Sequence, residues 1–295
     1  MAIDTFIFVL ISGIVLGGLY ALMAVGLSVV WTTLDVFNFA HGAFVALGAY
    51  VAWQISQSAP GPAGFALAAA LSVAFMFAFG FCLHFGIIKP FERSPNIVLL
   101  AVITTLAASS IIENGIQLVW GPREKQIDPN IDMRVDFGGV AIAGIDLLSL
   151  AVALLALAGL AVFLRRSATG RAMRAAAQNR EAAELMGFNV AFLFAIAFGI
   201  AAATAALAGV FIGSLRFINP SFGADPLMKS LIVVIFGGVA QFTSPIYAAF
   251  IIGIVEAFSI YFLGLYWAPA VLFALMIAVL MIKPEGLFGN RQKTL

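Results

Sequence analysis

The sequence predicts an all-α, polytopic membrane helix bundle of about eight or nine spans, with broken or re-entrant helices at two places. Two observations carry this prediction. Of the 295 residues, 63% are hydrophobic and only 10% charged, against about 45–50% and about 25% in a soluble domain. A core of this size cannot hide that surplus behind a polar shell. The apolar residues also fall in runs of the ~20 residues that a helix needs to cross a ~30 Å bilayer core. A soluble enzyme, a nucleic-acid binder and a disordered chain are thereby excluded. The formal net charge is +1, so charge points to no acidic partner. The single cysteine, Cys82, excludes a disulfide framework and a multi-cysteine metal site.

In chain order the runs lie at 6–31, 39–55, 65–88, 97–120, 147–164, 190–215, 227–239, 246–264 and 267–282. The first is too long for the core of a cleavable signal and has only Asp4 before it, with no basic start. The runs at 39–55 and 227–239 are short, and Gly, Pro or polar residues interrupt or flank them. Nine crossings with an external N-terminus place 89–96, 165–189 and 283–295 in the cytoplasm. Those segments carry Lys89, Arg93, Arg165, Arg166, Arg171, Arg174, Arg180, Lys283, Arg291 and Lys293. The external segments carry Arg123, Lys125, Arg134, Arg216 and Lys229. A re-entrant 227–239 lowers the count to eight and changes the parity. The whole chain, 1–295, reads as one transmembrane domain.

Two loops carry structure of their own. Residues 121–146 contain the alternating Val135-Asp136-Phe137 and predict a small external hairpin. Residues 165–189 predict a helix of about four turns, ended by Gly187 and followed by Asn189 as the cap of the next span. Arg171, Arg174, Gln178 and Glu181 share one face at that spacing.

The chain has no phosphate-cradling G-x-x-x-x-G-K-[ST], no H-E-x-x-H and no G-x-S-x-G. No catalytic residue, metal ligand or cofactor site is therefore assigned, and transport or conduction remains. Thr105, Ser109, Glu113 and Gln117 recur every four residues, which draws one polar stripe down span 97–120. Such a stripe lines a water-filled path or forms an interhelical seam; both readings stand. Glu256 is isolated in its span, paired or protonated. Gly13 and Gly17, Gly199 and Ala203, and Gly209 and Gly213 allow close helix approach. Two segments read as broken helices, Asp35 to Gly42 and Gly237 to Pro245. Interrupted segments in corresponding halves point to a midplane site, while two ordinary turns are the plainer alternative. The two breaks are expected to face each other near the route, through Asn38, His41 and Gly42 on one side and Gly237 and Gly238 on the other. Thr105, Ser109, Glu113 and Asn114 are expected to line it from span four. His41 either bonds the substrate or ties the break to a neighbouring span.

Gly18-Leu19-Tyr20-Ala21-Leu22-Met23-Ala24-Val25-Gly26-Leu27 followed by Asn38-Phe39-Ala40-His41-Gly42 resembles the permeases of branched-chain amino acid ABC importers. The resemblance is to the shorter permease of the pair, the LivH type. It continues through Gly170-Arg171-Ala172-Met173-Arg174-Ala175, Leu185-Met186-Gly187, Gly237-Gly238 and the terminal Pro284-Glu285-Gly286-Leu287-Phe288-Gly289. It implies an inner-membrane permease subunit that works with a second related permease as a heterodimer, two cytoplasmic ATPase subunits and an external substrate-binding protein. ATP would then be hydrolysed on the partners, and the 165–189 loop would be the coupling helix, with Arg171, Arg174, Arg180, Glu181 and Gly187 in that role. Three departures from the family pattern lie at the expected path: the bulky Ala240-Gln241-Phe242-Thr243-Ser244-Pro245, Glu113 before Asn114, and Ala43 after His-Gly. The substrate is therefore left open among branched-chain amino acids and similar small polar solutes. A proton-coupled transporter relaying through Glu113 or Glu256, and a passive channel lined by the span-four stripe, are the rival readings.

Overall fold

The computed structural model describes residues 3–92, 94–137, 139–239 and 242–289. Arg93, Ala240, Gln241, Arg291 and Lys293 lie outside the described residues. Among the described residues eleven α-helices and one hairpin follow in order: α1 Ile3–Leu34, α2 His41–Ser58, α3 Pro62–Ile87, α4 Ile97–Trp120, β1 Arg134–Phe137, β2 Val140–Ala143, α5 Gly144–Arg166, α6 Ala168–Gln178, α7 Arg180–Leu185, α8 Val190–Leu215, α9 Ala224–Gly237, α10 Ser244–Leu263 and α11 Ala268–Ile282. Every apolar run read from the sequence is a helix. Six of them, α1, α3, α4, α5, α8 and α10, are long and apolar enough to cross a membrane. At 14 and 15 residues, α9 and α11 rise only about 20 Å.

The centre of the bundle is α1. From Gly17 to Val30 every residue is buried, as expected of a helix that is apolar all round. It runs antiparallel to α10, with backbones in contact: a Cβ on Gly13 would lie 2.7 Å from the Ile254 Cα, and one on Gly17 2.8 Å from the Phe250 Cα. α8 is the second central rod. Gly209 meets the Val45 carbonyl of α2, and Gly80 of α3 meets Ala202 and Phe198. Around these two, α3, α4, α5 and α11 turn Leu67, Leu71, Leu99, Ile103, Leu155, Val162 and Met281 outward, the belt a bilayer would cover.

The expected hairpin is present. β1 and β2 pair antiparallel with Val135 opposite Ile142, and the Asp136 carboxylate accepts the Gly139 N–H at 2.9 Å. The preceding loop is held to the start of the α8–α9 connection by reciprocal bonds between Lys125 and Ile218.

The 165–189 segment departs from the single helix expected. Asn179 sits in an extended conformation (φ −154°, ψ 106°) and divides it into α6 and α7. Its side-chain oxygen accepts the Ala182 N–H at 2.9 Å, so a cap outcompetes helix continuation there. Glu181 therefore leaves the face shared by Arg171 and Arg174. The expected ends hold: Gly187 adopts φ +84°, the Phe188 N–H reaches back to the Ala183 carbonyl, and Asn189 caps α8 through the Phe192 N–H.

Candidate translocation and coupling sites

The first break is a loop that carries free backbone groups into the bundle. α1 stops at Asp35, which takes φ +57°. Asn38 accepts the Ala40 N–H at 3.0 Å through its side chain, and the Phe39 N–H is accepted by Thr105 Oγ1 of α4 at 3.2 Å. A backbone amide freed by the break thus meets a buried hydroxyl rather than hydrocarbon, the condition under which broken helices survive in a membrane. The His41 ring is fully buried and lies against α1, its Cε1 3.2 Å from where a Cβ on Gly26 would stand. Asn38, His41, Gly42 and Thr105 therefore form one cluster.

The partner of that cluster is the start of α9 rather than its end. Gly42 and Gly223 are in direct backbone contact, and neither could carry a side chain without displacing the other. The starts of two short helices, α2 and α9, meet there.

Gly237 and Gly238 lie at the far end of α9, in a different setting. Gly238 takes φ +103°, a region open to glycine. Ser244 Oγ donates to its carbonyl at 2.8 Å, while the N–H groups of Leu287 and Phe288 donate to the carbonyls of Phe236 and Gly237. The terminal Pro284 to Gly289 motif thus satisfies the last carbonyls of α9. The two breaks line one cavity of about 1250 Å³, to which the first contributes Asp35 and the second Val239, Phe242 and Thr243, beside Trp31, Arg165 and Arg174.

The remaining span-four residues stand further along α4. Ser109 Oγ donates to Glu113 at 3.0 Å, and Asn114 Nδ2 donates to the Ser110 carbonyl at 2.7 Å. Asn114 and Gln117 are exposed beside the apolar Ile111 and Leu118. Within a spanning helix, Ser110, Asn114 and Gln117 thus stand exposed among apolar neighbours.

At the arginine-rich end the expected coupling residues part company. Arg171 Nη1 donates to the Arg166 carbonyl at 2.6 Å, and Arg174 Nη2 reaches the Arg165 carbonyl at 3.4 Å, so both fold back onto the C-terminus of α5. Gly170 presses directly on Phe163 and Leu164. α6 is thereby fixed to α5. Arg180 turns the other way, to Glu92 at 3.1 Å and Glu184 at 3.2 Å. Glu181 and Gly187 are exposed, as are Leu185, Met186 and Phe188.

Glu92 and His84 were missed by sequence reasoning, being joined across a turn with no helical spacing to signal them. His84 Nε2 lies 3.0 Å from Glu92 Oε1. Burial pushes the Glu92 carboxyl up, but the hydrogen bond and charge of His84 and the Arg180 guanidinium outweigh it and hold the group below the ordinary carboxylate range.

Lys229 was misplaced in a loop. It sits on α9, buried, with Nζ 2.7 Å from Glu256 Oε1 of α10 and 2.9 Å from Asp225 Oδ2, and over the ring of Tyr20 at 5.5 Å. Glu256 is thus paired. An ionisable residue inside run 227–239 was itself the signal. Among the described residues no three His, Cys, Asp or Glu side chains converge as a metal site.

A family model described as branched-chain amino acid transport system / permease component matches residues 9–280. BraD of Pseudomonas aeruginosa, a high-affinity branched-chain amino acid transport system permease protein, is 30% identical over 95% of both chains. LivH of Escherichia coli is 31% identical over 95% of this chain and 94% of its own. The probable permease protein LivH of Methanocaldococcus jannaschii is 28% identical over 97% and 94%. With a match this nearly end to end, the chain belongs to the family of branched-chain amino acid transport system permease components.

Proposed function

We propose that the chain is the inner-membrane permease subunit of an ATP-driven ABC importer, passing branched-chain amino acids or similar small polar solutes. The permease relatives supply the substrate class, which is that of the proteins they name. The observation that carries the coupling half of the reading is the α7 turn. Leu185 and Met186 are 89% and 78% exposed at the arginine-rich end of the molecule, where positive-inside topology puts cytoplasm rather than lipid. An apolar pair standing free of the membrane fits a groove on a partner, here a cytoplasmic ATPase. The rim charges Glu181 and Glu184 would orient it.

The uncovered polar face of α4 supports a second permease. Glu113, Asn114 and Gln117 facing hydrocarbon would be costly, and a related permease packed against that face would enclose them as one wall of the route. Asn38, His41 and Thr105 would hold the first break open behind it. An external binding protein would deliver the solute. Pairing of Glu256 with Lys229 weighs against a free carboxylate relay.

The test is reconstitution. Uptake should require ATP, the ATPase and the binding protein, and should survive collapse of the proton gradient. Leu185→Asp with Met186→Asp should abolish co-purification of the ATPase while leaving membrane insertion intact. Uptake by this chain alone, stopped by a protonophore, would refute the reading.

A further inference from the structure

The arginine-rich loop is built as two arms of unequal attachment. α6 is fixed to α5 through Gly170 and the two arginine–carbonyl contacts described above. α7 hangs from α6 by one extended residue, Asn179. Beside the buried Ala183 and the short connection into α8, α7 is held by Arg180: its Nη2 meets Glu92 Oε2 at 3.1 Å, its Nη1 meets the Glu92 carbonyl at 3.4 Å, and its guanidinium stands 5.2 Å over the Phe194 ring. The Glu92 side chain is only 8% exposed, and its other oxygen faces His84, which is wholly buried. The His84 ring in turn packs against Phe85 of its own helix and Phe194 and Phe198 of α8. One turn before His84, Gly80 brings the α3 backbone onto that of α8.

A continuous set of charged and packed contacts therefore leads from the exposed α7 turn into α3 and the central α8. α6 enters the bundle differently, through the buried apolar Ala172, Met173 and Ala176 rather than through charge. Charge-assisted contacts with shielded partners resist displacement better than exposed ion pairs do.

We propose that Arg180, Glu92 and His84 form the mechanical link that carries movement of a docked ATPase from α7 into α3 and α8. Arg180 and Glu92 are positioning residues: they touch neither solute nor nucleotide. The inference rests on the ATP-driven reading above and adds to it the route by which the stroke enters the membrane.

The experiment uses the whole reconstituted importer and reads solute moved per ATP hydrolysed, beside ATPase co-purification. Glu92→Gln keeps the shape and removes the charge; Arg180→Lys keeps the charge and removes the fork. Each should retain the ATPase and its hydrolysis within about twofold, and lower solute per ATP by tenfold or more. In a Cys82→Ser background, Arg180→Cys with Glu92→Cys should be equally uncoupled. A bifunctional thiol cross-linker bridging the two positions should restore coupling, which a merely structural defect would not allow. Unchanged solute per ATP in both single variants would overturn the link. Loss of ATPase co-purification would overturn it too, by making Arg180 a docking contact. Failure of the wild-type chain to bring down any ATPase would instead refute the ATP-driven reading.

Discussion

Lys229 offers the sharpest quantitative test of the bundle. Its ammonium lies 2.7 Å from the Glu256 carboxylate, which is 1% exposed, and 2.9 Å from Asp225. At an effective dielectric of about 20, the closer contact alone is worth about 6 kcal/mol of Coulomb attraction, much of it offset by the cost of taking both charges out of water. Lys229→Met fills the same space with an apolar chain and leaves Glu256 buried without a cation. Breaking one partner of a buried pair costs about 3–5 kcal/mol, which corresponds to a melting shift on the order of 10 °C for a chain of this size. Replacing both partners, Lys229→Met with Glu256→Gln, removes the stranded charge and should recover most of the loss. The assay is thermal unfolding of the purified protein in detergent, read by tryptophan fluorescence as a double-mutant cycle. A single variant melting within about 2 °C of wild type would refute the reasoning, as would a double variant no more stable than the single.

Three other outcomes are expected. Thr105→Val removes the acceptor of the half-buried Phe39 N–H and should cost about 1 kcal/mol, measured by the same melt. Gly238→Val puts a β-branched residue at φ +103°, with a Cβ 2.8 Å from the Glu285 carbonyl; it should unseat the terminal motif and block uptake without preventing membrane insertion, seen as faster hydrogen exchange over 284–289. Glu92 has a lowered pKa when folded, so its stabilising contribution is complete above the ordinary carboxylate value of about 4.3 and is lost as pH falls through the depressed value. Protection against hydrogen exchange over 180–188, with the intrinsic pH dependence of exchange divided out, should therefore fall on acidification below the ordinary carboxylate value in the wild type and be already reduced at neutral pH in Glu92→Gln.

The long spans were legible because a bilayer demands about 20 apolar residues whatever the tertiary context, and six helices of that kind stand out among the described residues. Gly187 and Asn189 were legible for a similar reason: helix ends are local chemistry. The break at Asn179 was not, since an alanine-rich run masks it and carries neither glycine nor proline; an asparagine two residues before Glu181 was the one available hint of a cap. The charge clusters were invisible for another reason. Glu92 meets His84 across a turn, and Lys229 meets Glu256 from a separate helix, and no spacing rule connects residues that the fold alone brings together. The contact of Gly42 with Gly223 is of the same kind: each glycine reads as ordinary until its partner is known.

The backbone contact between α1 and α10 also sets an order of assembly. α1 leaves the ribosome first, and the helix that fits against Gly13 and Gly17 is the second from the end. At about 5–20 residues per second, α10 emerges tens of seconds after α1. Throughout that interval Gly13 and Gly17 of the central rod lack the helix they pack against. Its length and uniformly apolar surface let it wait as a free-standing span. This close joint of the folded protein thus forms late, with only α11 and the terminal motif still to follow, and a nascent chain halted before α10 leaves α1 without that partner.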